Sequence, residues 1–126
     1  MKHYLLLFLI LTLALVLRMY KLDSIPPALN RDEAGFGYEA YSLLKTARDQ
    51  HGRWLPLSFE LFGVWEYPVQ FYLKIPFIAF LGLNVFSVRF SVVAVALVTI
   101  IFGFKLTDKW FNRQLALIAT TLLSLS

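Results

Sequence analysis

The sequence predicts an all-α membrane protein: apolar helices, plus one amphipathic helix lying in the plane of the bilayer surface. Three observations carry this. Of 126 residues, 59% are hydrophobic and only 16% are charged, where a soluble domain is about a quarter charged. The apolar residues come in blocks, and mean hydropathy is +0.66, which places the chain in the membrane class. Finally, seven of the eight carboxylates fall within residues 18–66, between two apolar blocks. Charge gathered in this way at a membrane surface points to a reaction site facing one side of the bilayer.

Composition also excludes classes. There is no cysteine, hence no disulfide, thiol nucleophile or cysteine metal site. The net charge of +4 is spread as single residues, so nucleic-acid binding has no support. Aromatic residues reach 17%. Trp54, Trp65, Tyr67, Tyr72 and Trp110 lie near predicted segment ends, where amphipathic rings suit the headgroup level.

Tyr4–Leu17 carries no charge and is bounded by Lys2 and Arg18. Its 14 residues cover about 21 Å of a core about 30 Å thick. Snorkelling by Lys2 and Arg18 extends the span, giving a transmembrane helix over about 3–20. A signal peptide is the alternative, but Leu17–Lys21 offers no small-x-small cleavage site. The loop 21–66 follows. Ser24-Ile25-Pro26-Pro27 is extended, because a residue before proline avoids the α region. Asn30 is an N-cap. From Asp32 to Asp49 the apolar positions Phe36, Ala40, Leu43, Leu44 and Ala47 recur at offsets of three and four, predicting an interfacial helix over about 32–49. Gly52 ends it and Pro56 enforces the stop.

Residues 67–83 are apolar apart from Gln70 and Lys74, with Pro76 inside. Gly82-Leu83-Asn84 is a turn. Residues 85–104 form the clearest span, with Arg89 one turn from its start. Residues 105–113 read as a short basic loop, and residues 115–126 open a further apolar segment that stops short of a crossing. Lys105, Lys109 and Arg113 place that basic loop in the cytoplasm, whereas loop 21–66 has no positive excess and suits the external side. The two assignments conflict if 67–83 and 85–104 both cross, so the topology of 67–83 stays open.

Asp32 and Glu33 stand at the start of the interfacial helix. Two readings are compatible: first-turn carboxylates complement the helix dipole by about 0.3–1 kcal/mol each, and Asp32, facing a water-filled hollow with Glu33, serves as a general base. The dipole keeps a carboxylate ionised but weakens it as a base; a nearby anion opposes that. Glu39 lies close to two turns further on and reads first as solvated surface charge. Glu66 marks a site rim or a helix start. Arg18, Lys21, Arg31, Arg53 and Lys74 are candidates to meet a lipid phosphate, with snorkelling as the plain alternative. Lys74, a cation inside an apolar segment, needs a partner or water, and Arg89 is similar. Asp32, Glu33, Glu66 and His51 offer ligand types that a divalent ion uses, but no spacing is diagnostic and no metal site is assigned.

Arg31-Asp32-Glu33-Ala34-Gly35-Phe36-Gly37, following one membrane helix, resembles the Asp-Glu motif in the first external loop of protein O-mannosyltransferases. It is similar too to the same loop of aminoarabinose transferases and related bacterial membrane glycosyltransferases. His51–Phe59 resembles their loop after the interfacial helix. Tyr72–Phe77, Phe80–Asn84 and Phe86–Phe90 resemble their second and third membrane segments. The motifs' order and spacing cover nearly the whole chain.

The resemblance implies the N-terminal part of a C-type glycosyltransferase fold, a polyprenyl-phosphate-linked sugar as donor, and a hydroxyl acceptor on the outer face of a bacterial plasma membrane. It also implies catalytic roles for Asp32, which deprotonates the acceptor, and Glu33, which places it. Arg31, Arg53, Glu66 and Lys74 are the accompanying substrate-binding candidates. Where aminoarabinose transferases carry Glu-Lys-Pro, this chain has Glu66-Tyr67-Pro68. The missing cation argues against lipid A as acceptor. The family runs to several hundred residues, so the reading expects a fragment, inactive alone. The competing reading is a small non-enzymatic membrane protein whose amphipathic loop binds a partner or anionic lipid. A transporter fragment ranks third, since the acidic residues lie outside the apolar spans.

Overall fold

A computed structural model describes residues 2–125, with side chains from Tyr4 onward; the expected snorkelling of Lys2 lies outside them. Five helices and one hairpin follow in order: α1 (Lys2–Met19), α2 (Arg31–Thr46), β1 (Phe59–Leu61), β2 (Val64–Glu66), α3 (Val69–Leu81), α4 (Val85–Trp110) and α5 (Arg113–Leu125). The chain divides into two compact units, residues 1–20 with 92–126, and residues 21–91.

In the first unit α1 packs against α5. The buried positions are small (Ala14, Ala116, Thr120 and Ser124), which lets helix backbones approach closely where lipid offers no hydrophobic drive. Thr120 and Ser124 hydroxyls donate to the carbonyls of Ala116 and Thr121. Arg18, at the end of α1, donates to two carbonyls of α5, Ser124 at 2.7 Å and Leu123 at 3.2 Å. At the opposite ends, the Arg113 guanidinium lies 5.3 Å from the Tyr4 ring centre. The two helices therefore run parallel.

Residues 105–113 are not the expected basic loop. α4 continues to Trp110, because lysines at a helix end can snorkel without breaking the backbone ladder. Only Phe111 and Asn112 separate it from α5. Asn112 Oδ1 accepts from Leu115 N at 2.9 Å, and Arg113 pairs with Asp108 at 2.9 Å across the turn. At 26 residues, about 39 Å, α4 is long and apolar enough to cross a membrane. The expected span over 67–83 is α3, whose 13 residues reach about 20 Å, short of a core of about 30 Å. Pro76 sits within it.

In the second unit α3 packs on α2. Phe59 and Phe71 stack at 4.1 Å, Phe36 meets Phe71 edge-on at 5.3 Å, and Leu43, Tyr72 and Ile75 close around them. Phe36 and Leu43 belong to the predicted apolar stripe, so the amphipathic face buries against α3 and β1. Two expectations are corrected here. First, α2 ends at Thr46, not Asp49: Ala47 takes a left-handed φ of 56°, and Asp49 turns back to bind the loop that follows. Second, residues 59–66 are not plain loop. They form an antiparallel hairpin pairing Phe59 with Glu66, Glu60 with Trp65 and Leu61 with Val64. Its two turn residues, Phe62 and Gly63, both have positive φ, 54° and 83°, as a tight type I′ turn requires. The segment is too short for its alternation to stand out in sequence.

Candidate functional site

The first turn of α2 is built by a capping box. Asn30 Oδ1 accepts from Glu33 N at 2.7 Å, and Glu33 Oε2 accepts from Asn30 N at 3.1 Å. This satisfies two of the amide donors that a helix start leaves open. It also fixes where the neighbouring carboxylates go. Glu33, at the third helical position, is turned back toward the cap. Asp32, one residue earlier, is exposed and has no hydrogen bond or ion pair among the described residues.

Glu33 is shared with Arg89 of α4. Arg89 Nη2 lies 3.3 Å from Oε2 and Nε 3.4 Å from Oε1. The same guanidinium donates to the carbonyls of Leu22, Pro26 and Ala28 at 2.9–3.0 Å, so this buried cation stitches the 22–28 segment to the helix start. The expected partner for Arg89 is thus a carboxylate of the Asp-Glu pair. The pair does not project jointly into one hollow: Glu33 is engaged inward and Asp32 faces solvent.

Lys74 is buried in α3, its ammonium 5.7 Å from the Phe36 ring centre, with no hydrogen-bond acceptor among the described residues. A buried ammonium is costly without compensation; here the Phe36 ring face and the attraction of the Glu33 carboxylate provide it. Lys74 and Arg89 thus bring two buried cations into the unit that holds Glu33. On the hairpin side, Phe62 packs beneath the Arg31 guanidinium at 3.8 Å. A Cβ on Gly35 would meet Leu61 at 2.8 Å, so β1 lies against the start of α2.

Residues 8–126 match the model of the family described as dolichyl-phosphate-mannose-protein mannosyltransferase. The chain belongs to that family. No curated protein and no solved structure matches it. Members of the mannosyltransferase family are integral membrane glycosyltransferases, in keeping with the predominantly helical fold and with α4 as a candidate span. The resemblance read from the Asp32-Glu33 motif and the downstream segments is borne out at the level of the family.

The remaining site candidates of this mannosyltransferase-family chain are dispersed. Arg53 is committed to Asp49, with Nε 2.6 Å from Oδ2, and lies over Trp65 at 5.0 Å. Glu66 accepts from Gln70 Nε2 at 3.2 Å. His51 approaches the Glu60 carbonyl through Nε2 at 3.1 Å. Among the described residues, no three His, Asp or Glu side chains converge as metal ligands.

Sequence reasoning missed the buried acid pair beyond the site. Glu39, expected as surface charge, is fully buried. Its Oε2 accepts from Gln50 N at 3.1 Å, while Oε1 has no partner. Burial raises its pKa above the ordinary carboxylate range, only partly offset by that hydrogen bond. Asp49 is also buried, but Oδ1 accepts from Arg53 N and His51 N and Oδ2 from Arg53 Nε. Desolvation raises its pKa, and these bonds with the Arg53 charge outweigh it, so the net shift is downward. An Asp-x-x-x-Arg pair astride a glycine was the one available sequence signal.

Proposed function

We propose that the chain carries the acceptor-activating site of a membrane glycosyltransferase that moves a sugar from a polyprenyl-phosphate donor to a hydroxyl acceptor on the outer face of the membrane. The carrying observation is the family match over residues 8–126 together with an unpartnered Asp32 at the head of α2. Asp32 accepts the acceptor's hydroxyl proton. The freed oxygen attacks the anomeric carbon, the carbon–oxygen bond to the lipid phosphate breaks, and the phosphate leaves with the bonding pair.

Glu33 does not compete for that proton, because the Asn30 amide and Arg89 already occupy it; it holds the turn that aims Asp32. Lys74, which makes no hydrogen bond among the described residues, supplies positive charge suited to the leaving phosphate. The external assignment rests on helix direction. Arg113 meets Tyr4 at one end of the first unit, and Arg18 meets Ser124 at the other. If the basic end bearing Lys105, Lys109 and Arg113 is cytoplasmic, the chain leaves α1 at Tyr20 on the external side. An α3 of 13 residues that does not cross supports this direction.

Asp32→Asn, introduced into the intact gene product, tests this. Sugar transfer from a polyprenyl-phosphate donor is lost while membrane insertion is unchanged. Normal turnover by that variant would remove Asp32 from the mechanism.

A further inference from the structure

The hairpin presents to its surroundings a set of residues that water alone does not explain. Trp54, Phe62, Trp65 and Tyr67 are 68%, 49%, 60% and 84% exposed. Trp65 stands opposite Glu60 in register, whereas Phe59 and Leu61 turn into the core. A solvated sheet face carries polar residues at such positions. The tip is more telling. Phe62 holds a left-handed φ of 54°, where asparagine or glycine is favoured and a bulky side chain is strained. An aromatic residue kept there against backbone preference, and left half exposed, marks a contact surface.

Two of these rings carry arginines. Arg31 lies 3.8 Å over Phe62 and Arg53 lies 5.0 Å over Trp65. Arg53 is already committed to Asp49, but stacking covers the face of the Arg31 guanidinium and leaves its edge donors available, the geometry in which arginine binds phosphate oxygens. The Arg31 donors have no protein acceptor among the described residues. Arg31 also stands in the first turn of α2, where open backbone amides and the dipole favour an anion. Aromatic rings with arginine edges match the zone between acyl chains and lipid phosphates, which suits Trp, Tyr and Arg better than it suits aliphatic side chains.

We propose that this face, with Phe62 at its tip, is a docking surface for anionic phospholipid headgroups: the rings enter the interfacial layer and Arg31 engages a lipid phosphate. The hairpin thereby anchors the start of α2 at the membrane surface, independently of which sugar or acceptor is handled there.

The test is depth-resolved fluorescence on the full chain. Trp54→Phe with Trp110→Phe leaves Trp65 as the single tryptophan, and the protein is reconstituted into phosphatidylcholine vesicles with or without phosphatidylglycerol. Trp65 is expected to be quenched by a nitroxide at acyl position 5 more than by one at position 12. It is expected to be shielded from aqueous iodide at least twofold, and more so with phosphatidylglycerol. Arg31→Gln removes the phosphatidylglycerol dependence and keeps the shallow quenching. Phe62→Asn, which suits the turn and so leaves the hairpin folded, lowers the quenching. Full access to iodide without nitroxide quenching places the hairpin in water and overturns the proposal. Protection from both quenchers means that protein covers the face, and overturns it equally. Equal behaviour in the two lipid mixtures overturns the assignment to anionic lipid.

Discussion

Arg89 closes a two-point grip on Glu33 from the second turn of α4, 56 residues away in sequence, while three carbonyls of the 22–28 segment take its other donors. One side chain thus fixes the entry to α2, the orientation of Glu33 and, through it, the turn carrying Asp32. Lysine has one ammonium and cannot fork between a carboxylate and three carbonyls. Arg89→Lys should leave most of these acceptors unmatched and cost about 3 kcal/mol. Thermal unfolding in detergent and hydrogen exchange over residues 22–34 measure it. Protection like that of the parent chain would show the grip to be incidental.

The capping box gives a smaller and separable effect. Asn30→Ala removes the acceptor for Glu33 N and should cost about 1 kcal/mol. Asn30→Asp keeps that acceptor and should cost much less. Because Glu33 keeps Arg89 in both variants, a fall in stability confined to the alanine variant isolates the cap. Parallel thermal melts of the two proteins decide it.

Glycines at 35 and 37 face different neighbours. A Cβ at Gly37 would lie 2.7 Å from Val88 Cγ2, and one at Gly35 would lie 2.8 Å from Leu61 Cδ2. Val88 is buried and β-branched, hence stiff at χ1, whereas Leu61 can move its side-chain end by a rotamer change. Gly37→Ala should therefore destabilise by about 1–3 kcal/mol of overpacking, despite a helix-propensity gain of about 1 kcal/mol. Gly35→Ala should be close to neutral. Equal losses at the two positions, measured by melting, would contradict this account.

Glu39 and Asp49 answer pH in opposite senses. The folded pKa of Glu39 is raised by burial, so its stabilising contribution is complete below the ordinary glutamate range, near 4.3, and is lost as pH rises through the raised value. Asp49 has a lowered folded pKa, so its contribution is present above the ordinary aspartate range, near 3.9, and is lost as pH falls through the lowered value. Glu39→Gln keeps a carbonyl acceptor for Gln50 N and removes the charge. Its stability relative to the parent should rise as pH passes from the ordinary glutamate value, near 4.3, through the raised one, read as exchange protection at Gln50 after correction for intrinsic rates. A difference that stays constant from about pH 4 upward would mean that burial does not raise the Glu39 pKa.

Much of this fold was legible locally. Asn30 was legible as the N-cap and caps α2 as read; the structure adds Glu33, which closes a capping box with it. The apolar repeat from Phe36 to Leu43 named the face that meets Phe59 and Phe71, because helical periodicity alone decides which residues share a stripe. The end of α2 was not legible. It depends on Asp49 folding back onto Arg53, and on the buried Glu39 holding Gln50, so a carboxylate that looks solvated in sequence is placed inside by elements that follow it. The basic stretch 105–113 misled for a related reason: snorkelling lysines extend a helix as readily as they end it.

By itself, the sequence determined the membrane class, the apolar segments, the cap at Asn30 and the motif that marks the family. These follow from composition and from side chains a few residues apart. Tertiary structure decided that Glu33 belongs to Arg89, that Glu39 lies inside, and that residues 59–66 pair into a strained hairpin against the start of α2. Apart from the local pairing within the hairpin, each of these is a contact between separate elements of the chain, and its free energy exists only once both sides have been brought together.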